Sequence, residues 1–316
     1  MSGEGHPVAI DELARARLQK KRIPRKAKPS CNTLIPDRFV TSRKQRMERM
    51  VVIAPEAVES VHQLAETWRA IVNDRGSGEV CDIPGLAIRW SDTKFAFFNC
   101  ITLTDVGADP RLLEERLVQA VDYMRTRSES GLIWLFEDLL DESARKALPE
   151  VAKRAGLTRA LTGYGMAGDF LPIAEPSHSN LRFVRVRTEE ELMAYADLNS
   201  RAYGMPLETA RDGLRGSTLW KSGMYTFLGL ENDVPVSAAA TVETNGCLFL
   251  ALVATAPEAQ RKGYGEATVR KALYEGAKAT GLTRTVLHAT EAGFPVYKRI
   301  GYKSVATIGF YGLSAS

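Results

Sequence analysis

The sequence predicts an α/β protein made of two mixed-sheet domains in tandem behind a basic N-terminal tail. Helical and strand-like periodicities alternate from about residue 51 to the C-terminus, a polar connector rich in Pro and Ser interrupts them at 173–180, and one helix–Gly–strand element occurs twice. At 316 residues the chain can hold two domains of about 100–150 residues each. The boundaries follow as a tail over 1–50, a first domain over 51–172 and a second over 180–316.

Composition excludes several classes. A hydrophobic fraction of 45% and a charged fraction of 25% are those of a globular protein, not of a disordered or collagen-like chain. The longest apolar run, Cys247 to Ala256, is half of the ~20 residues a membrane-spanning helix needs, so no membrane span is expected. The N-terminus has no apolar stretch of the secretory kind. Cys31, Cys81, Cys100 and Cys247 form no C-x-x-C pair, and the histidines form no H-x-x-x-H pair. The expectation is a reduced, cytoplasmic, metal-free protein without a disulfide framework.

Charge is unevenly spread. Residues 1–50 carry 13 Lys and Arg against 5 Asp and Glu, while the whole chain has a net charge of only +4. The tail holds Lys20-Lys21-Arg22 and Arg25-Lys26-Ala27-Lys28 among prolines. A solvated tail lying against an acidic body is the favoured reading, because no aromatic residues interleave the charges; a nucleic-acid-binding arm is the alternative.

The elements follow in order. Apolar positions at Val58, Val61, Leu64, Trp68 and Ile71 predict a helix from Ala54 to Asp74, ending near Gly76. Strands are expected at Leu86–Trp90 and Lys94–Thr104, and a helix opens at Asp109-Pro110 with proline in the favoured first turn. Gly131–Glu137 reads as a buried strand, Glu142–Ala155 as a helix and Leu157–Leu171 as strand-rich. Beyond the connector come a strand at Leu181–Val186 and a helix to Ala202, for which Thr188 and Glu191 form a capping box. A helical stretch at Leu207–Leu219 precedes strands at Met224–Glu231, Val234–Glu243 and Cys247–Ala254, joined by the hairpin turns Asn232-Asp233 and Asn245-Gly246. A helix from Gly263 to Thr280, a strand at Arg284–Ala289, a short helix at Pro295–Ile300 and a strand from Tyr302 complete the chain.

Lys153-Arg154-Ala155-Gly156-Leu157 matches Lys298-Arg299-Ile300-Gly301-Tyr302 at an offset of 145 residues (298 against 153), and Thr162 matches Thr307 at the same offset. A period of this size indicates a duplicated domain, not a solenoid.

The stretch from Leu252 to Ala267 carries the chemistry. An apolar strand runs into a loop, Gln260-Arg261-Lys262-Gly263-Tyr264-Gly265, and a long helix opens at once. The free N–H groups and the dipole of a helix N-terminus make an anion site. Gly263 and Gly265 allow close backbone approach, and Arg261 and Lys262 add positive charge. A Walker A loop would need Gly-Lys-Ser/Thr, and a dinucleotide fingerprint a third glycine. About thirty residues on, His288 to Tyr302 reads as a strand end followed by a short helix that carries Tyr297 and stops at Gly301.

Together these segments resemble the GNAT superfamily of N-acetyltransferases. Gln260, Gly263 and Gly265 match its pyrophosphate motif, (Gln/Arg)-x-x-Gly-x-(Gly/Ala); Tyr297, Gly301 and Tyr302 match its Tyr-x-x-x-Gly-(Phe/Tyr) ending. The resemblance implies acetyl-CoA as donor, CoA as product and a small-molecule or peptide amine as acceptor. It implies backbone contacts to pantetheine from Leu252, Val253 and Ala254, and a diphosphate cradle over Gln260, Arg261, Lys262, Gly263, Tyr264, Gly265 and Glu266. Thr290, Pro295 and Tyr297 would line the thiol end, with Tyr297 as the acid that protonates the departing thiolate. Glu243 could deprotonate the amine or simply occupy a solvent-facing hairpin end. Tyr203, Trp220 and Tyr225 could border the acceptor, although core packing is the better reading of each, and His288 reads as a core histidine rather than a base.

The first half departs from the pattern. At the 145-residue offset Ala152 stands where Tyr297 should, and Arg111–Arg116 near the loop position has no glycine. A degenerate first domain is therefore expected to support the fold or shape the acceptor site. Rival readings are a non-catalytic CoA-sensing or nucleic-acid-associated module, and an acyltransferase with another acyl donor or a hydroxyl acceptor.

Overall fold

A computed structural model describes residues 54–315; the basic tail over 1–50 lies outside them. Helix α1 (Pro55–Arg75) starts with proline in its first turn and stops where Gly76 turns left-handed, φ 67°. Strands β1 (Glu79–Ile83), β2 (Leu86–Trp90) and β3 (Asn99–Leu103) follow, then α2 (Pro110–Arg125), β4 (Leu132–Phe136), α3 (Glu142–Arg154) and β5 (Leu157–Gly168). The second half contains β6 (Arg182–Arg185), α4 (Glu189–Ala202), α5 (Leu207–Leu214), α6 (Leu219–Ser222), β7 (Met224–Glu231), β8 (Val234–Thr244) and β9 (Cys247–Thr255). It ends with α7 (Tyr264–Thr280), β10 (Thr285–Thr290), α8 (Phe294–Ile300) and β11 (Lys303–Leu313).

Local chemistry explains most of these boundaries. The Thr188–Glu191 capping box is formed in both directions. Asn232, Asp233, Asn245 and Gly246 all have positive φ, the geometry of tight hairpins. The sequence reading differs in three places. Strand β1 was not expected, because its acidic residues break the alternation. The stretch expected as a strand over Lys94–Thr104 begins as a 3₁₀ turn, Ala96–Phe98, before β3. The expected helix over Leu207–Leu219 divides into α5 and α6 at Gly216, which is left-handed with φ 81°.

The strands form one sheet in the order β1-β2-β3-β4-β11-β5-β10-β9-β8-β7-β6. Pairs β3–β4 and β9–β10 are parallel and all others antiparallel. Each half repeats the order strand–strand–strand–helix–strand–helix–strand, but neither keeps its last strand to itself. Strand β5 pairs with β10, β11 pairs with β4, and β5 and β11 pair with each other. The two sheets expected from the sequence are thus one continuous sheet, joined by an exchange of terminal strands.

The register carries the 145-residue offset. Gly163 faces Ile308, and the flanking pairs Thr162–Gly309 and Tyr164–Thr307 are reciprocal under that offset. A local two-fold relation therefore passes through the centre of the sheet. Helices cover both faces. A core cluster shared by both halves joins Val61, Leu64 and Trp68 of α1 to Tyr195 and Leu198 of α4 and Phe249 of β9. Separate clusters gather under α2 and α3 (Leu113, Leu117, Leu148) and under α7 and α8 (Val269, Leu273, Ile300). Cys100 and Cys247 are buried free thiols, whereas Cys81 is disulfide-bonded, a departure from the fully reduced chain expected. Among the described residues no helix is long and apolar enough to cross a membrane.

Candidate active site

Strand β9 is where the sheet opens. Its parallel pairing with β10 covers Leu248–Leu250 against Thr285–Leu287 and then stops. On the other side, its register with β8 skips from Ala251 to Ala254, and Leu252 has φ 52°, a bulge that takes Leu252 and Val253 out of both ladders. The carbonyl of Leu252 accepts a hydrogen bond from the Tyr195 hydroxyl at 2.6 Å, and that of Val253 from Tyr203 at 3.4 Å. Tyr195 of α4 and Tyr203 at its C-cap thus satisfy carbonyls that the bulge removed from the sheet.

The strand leads into the glycine loop. Arg261 and Gly263 are both left-handed, with φ 65° and 80°. Helix α7 begins after Gly263 with no side chain capping it, so its first N–H groups face outward without an internal acceptor. At Gly265 a Cβ would stand 2.6 Å from Thr255 Oγ1, so any other residue here must displace the Thr255 hydroxyl. At Gly263 a Cβ would meet only His178 Nε2 at 3.7 Å, and backbone conformation is what demands glycine there. Gln260, Arg261 and Lys262 are exposed. The Lys262 ammonium lies 3.4 Å from Glu231, to which Tyr264 also donates a hydrogen bond. That hydrogen bond, followed by Lys262, holds the Glu231 carboxyl below its usual range. Glu266 is ion-paired to Arg270 and to Arg299 of α8, at 3.0 and 3.1 Å.

The corresponding position of the first half is chemically closed. The parallel pair β3–β4 is followed by α2, whose N-cap Asp109 accepts from the Leu112 N–H at 2.9 Å. A carboxylate there occupies the donors and repels an anion. Glycine at α7 and aspartate at α2 thus end the two topologically equivalent helix starts differently, the first with no side-chain cap and the second with a carboxylate cap.

At the splayed end of β10, Thr290 Oγ1 accepts from the Gly293 N–H at 3.3 Å, and Pro295 is exposed in the first turn of α8. Tyr297 is buried, with its ring edge-on to Tyr302 at 6.0 Å. Burial, then the nearby phenols of Tyr203 and Tyr302, push its hydroxyl well above the ordinary phenol range, so it carries its proton throughout the neutral region.

Between β9, β10 and α1 lies a cavity of ≈ 70 Å³. Its walls include Leu250, Ala251 and Leu252 from β9, and His288, Ala289 and Thr290 from β10. The first half supplies Trp68, Phe97, Trp134 and Leu161. His288 Nε2 is 3.0 Å from Ser60 Oγ of α1, while His288 Nδ1 and Trp134 Nε1 have no hydrogen-bond partner. Burial lowers the His288 pKa to about 3, so the ring is neutral at physiological pH. A larger groove of ≈ 470 Å³ lies at Arg69, Asp82 and Arg89. It sits away from the splay, and its charges pair with one another.

The sequence-selected residues therefore divide. Leu252, Val253, the loop from Gln260 to Glu266, Thr290 and Tyr297 gather along one edge of β9 and β10. Tyr203 lines the cavity, whereas Trp220 packs in the core with its Nε1 donating to Ser217 O, and Tyr225 stacks under Arg185. Glu243 is exposed at the far hairpin end of β8, opposite Leu248, and does not line the cavity. Sequence reasoning missed Tyr195, Ser60 and the aromatic wall. Only their placement across the shared sheet reveals them.

A splayed parallel strand pair followed by an uncapped glycine helix start leaves main-chain groups free along one continuous end of the sheet. Residues 174–302 match the model of the acetyltransferase (GNAT) family. Similarity in fold extends further. A protein described as a GCN5-related N-acetyltransferase from Kribbella flavida shares 19% identity at a TM-score of 0.60, over 80% of this chain and 95% of that one. A conserved protein of unknown function from Staphylococcus epidermidis shares 14% identity at a TM-score of 0.51, over 75% and 94% of the two chains.

Proposed function

We propose that the protein is an acetyl-CoA-dependent N-acetyltransferase with one active site, built in the second half of a duplicated fold whose first half has lost cofactor binding. The observation that carries this reading is the continuous path from the uncapped, glycine-flanked start of α7 along the bulged strand β9 to the cavity. In this reading the α7 N-terminus holds the diphosphate, with Arg261 and Lys262 adding charge, and Leu252–Ala254 bind pantetheine through their main chain. Fit to the cofactor is supported by the left-handed Gly263 and by the absence of side-chain volume at Gly265, against the carboxylate cap at α2.

Bound acetyl-CoA supplies an activated carbonyl carbon, so that an amine and the thioester become an amide and a thiol. The chain's own groups then have defined tasks. Tyr297 keeps its proton until negative charge develops on sulfur, and it donates as that charge grows. Tyr195 and Tyr203 hold the bulge open by satisfying its carbonyls. Glu243 is exposed and outside the cavity lining, so in this reading the amine loses its proton to water. The acceptor is a small-molecule or peptide amine, and the protein works in the cytoplasm.

Calorimetry with acetyl-CoA and release of free thiol over a panel of amines test the reading. Binding near one equivalent with amine-dependent thiol release is expected. Binding without turnover of any amine or alcohol would favour a CoA-sensing module. Turnover only with longer acyl donors or with alcohols would favour the other acyltransferase chemistry.

A further inference from the structure

The connector over 173–180, which the sequence marks only as a polar boundary, is tied to α7. Glu175 pairs with Lys271 of α7 at 2.7 Å, and the chain turns where the Leu181 N–H donates to the His178 carbonyl at 3.1 Å. Between these points it runs back along the helix to its first residue, Tyr264. The His178 ring lies edge-on to that of Tyr264, with centroids 5.1 Å apart. Tyr264 is 2% exposed and its hydroxyl donates to Glu231, so the surface on which the imidazole rests is itself fixed.

The imidazole presents one nitrogen to the helix start. Its Nδ1 accepts from the Asn180 N–H at 3.3 Å, so in the neutral ring the proton sits on Nε2. Nε2 stands 3.7 Å from the point where a Cβ of Gly263 would be. That point is one bond from the Gly263 Cα, at the N-cap of the helix that no side chain caps. Among the described residues Nε2 has no hydrogen-bond partner. Glu231, the carboxylate of this corner, is already engaged by Tyr264 and Lys262.

Backbone donors without a cap and an imidazole donor without an acceptor therefore meet at one turn. Donors gathered in this way recognise an oxyanion, whose oxygens can accept from several of them at once. We propose that His178 is a binding residue for the cofactor: its Nε2–H donates to an oxygen of the diphosphate at the start of α7, and the connector between the halves forms a second wall of that cradle. This inference rests on the acetyl-CoA reading and adds to it a residue from outside the glycine loop. The ring is held by Asn180 on one side and Tyr264 on the other, so little freedom is lost when it binds.

The test is calorimetric titration of the full-length protein with acetyl-CoA and with 3′-dephospho-acetyl-CoA, which keeps the diphosphate and lacks the other phosphate. His178→Phe keeps an aromatic ring against Tyr264 and removes the donor. It should weaken binding of both ligands about tenfold, as loss of a hydrogen bond to a charged group does. His178→Gln gives up the ring but places an amide N–H near the position of Nε2, and it should bind both ligands within about threefold of the parent. Without ligand, Tm should be the same in the parent and both variants.

Parent-like affinity of the phenylalanine variant would overturn the inference, because the donor would then do nothing. A glutamine variant as weak as the phenylalanine variant would also overturn it, by assigning the loss to the ring and not to its N–H. A loss seen with acetyl-CoA but absent with the dephospho ligand would move the contact to the 3′-phosphate, away from this turn. A Tm lowered in both variants would leave His178 with packing on Tyr264 alone. Each of these results leaves the acetyl-CoA reading standing. Failure of the parent to bind acetyl-CoA would instead remove that reading, and the inference with it.

Discussion

Gly163 of β5 lies directly opposite Ile308 of β11, at the centre of the local two-fold relation between the halves. A Cβ on Gly163 would come within 2.7 Å of both the Ala289 carbonyl and the Phe310 ring. Strands from both halves therefore converge on a point that only glycine permits without rearrangement. The halves are consequently expected to unfold together. Denaturant unfolding followed by fluorescence and by circular dichroism should give one coincident transition. A fragment of residues 174–316 should show no cooperative transition, because β10 and β11 would both lose strands of the first half. A stably folded fragment would show that the exchange is dispensable.

Cofactor stoichiometry should be one per chain. Calorimetry is expected to give a single acetyl-CoA site, lost in Gly263→Val because a β-branched residue resists φ 80°. Gly265→Val should also abolish binding, by driving Thr255 out of place. Asp109→Ala should create no second site, because the left-handed glycine before α2, Gly107, stands two residues ahead of the N-cap and not at it as Gly263 does; it should cost about 1 kcal/mol of stability through loss of the cap. Two equivalent sites in the unaltered protein would refute a degenerate first half.

Tyr297→Phe removes only a hydroxyl. If the phenol donates to the departing sulfur, kcat should fall by at least about tenfold, with acetyl-CoA affinity nearly unchanged. Parent-level kcat with the preferred acceptor would leave Tyr297 with only its packing against Tyr302.

Acid should find His288. Its pKa is lowered to about 3 by burial, below the ~6.5 of an unfolded histidine. Between those values the unfolded chain binds a proton that the folded one refuses. Stability is therefore fully present above about pH 6.5 and is lost as pH falls toward 3. Urea unfolding of the parent should lose up to about 1.4 kcal/mol per pH unit more than His288→Gln does over this window. Parallel pH profiles would mean that His288 is not held neutral.

Ser60 reaches His288 only because Gly165, the register partner of His288 in β5, has no side chain. A Cβ there would stand 2.6 Å from Ser60 Oγ. Gly165→Ala should therefore break the Ser60 contact and release the imidazole. The histidine ring resonances should shift in NMR spectra, and the effect on acceptor KM should exceed that on acetyl-CoA affinity.

Much was legible in the sequence because it is encoded locally. The Thr188–Glu191 box, the Asn-Gly and Asn-Asp turns, the proline starts of α1 and α2 and the glycine loop before α7 each act within a few residues, and each formed where its chemistry required. The 145-residue echo was legible for the same reason, since helix, glycine and strand repeat together. Strand exchange was not legible. Whether β5 pairs within its own half or beside β10 depends on contacts more than 100 residues apart, and the alternation of side chains along a strand is the same in either place. The site divides in the same way. Its uncapped helix start is a property of one turn and could be read from Gly263 and Gly265, whereas the aromatic wall joins Trp68 and Trp134 to Phe249 and His288 only because α1 and β4 are carried across a shared sheet. Periodicity fixes which face of an element is apolar; only tertiary packing decides which apolar faces meet, and whether what they enclose is core or cavity.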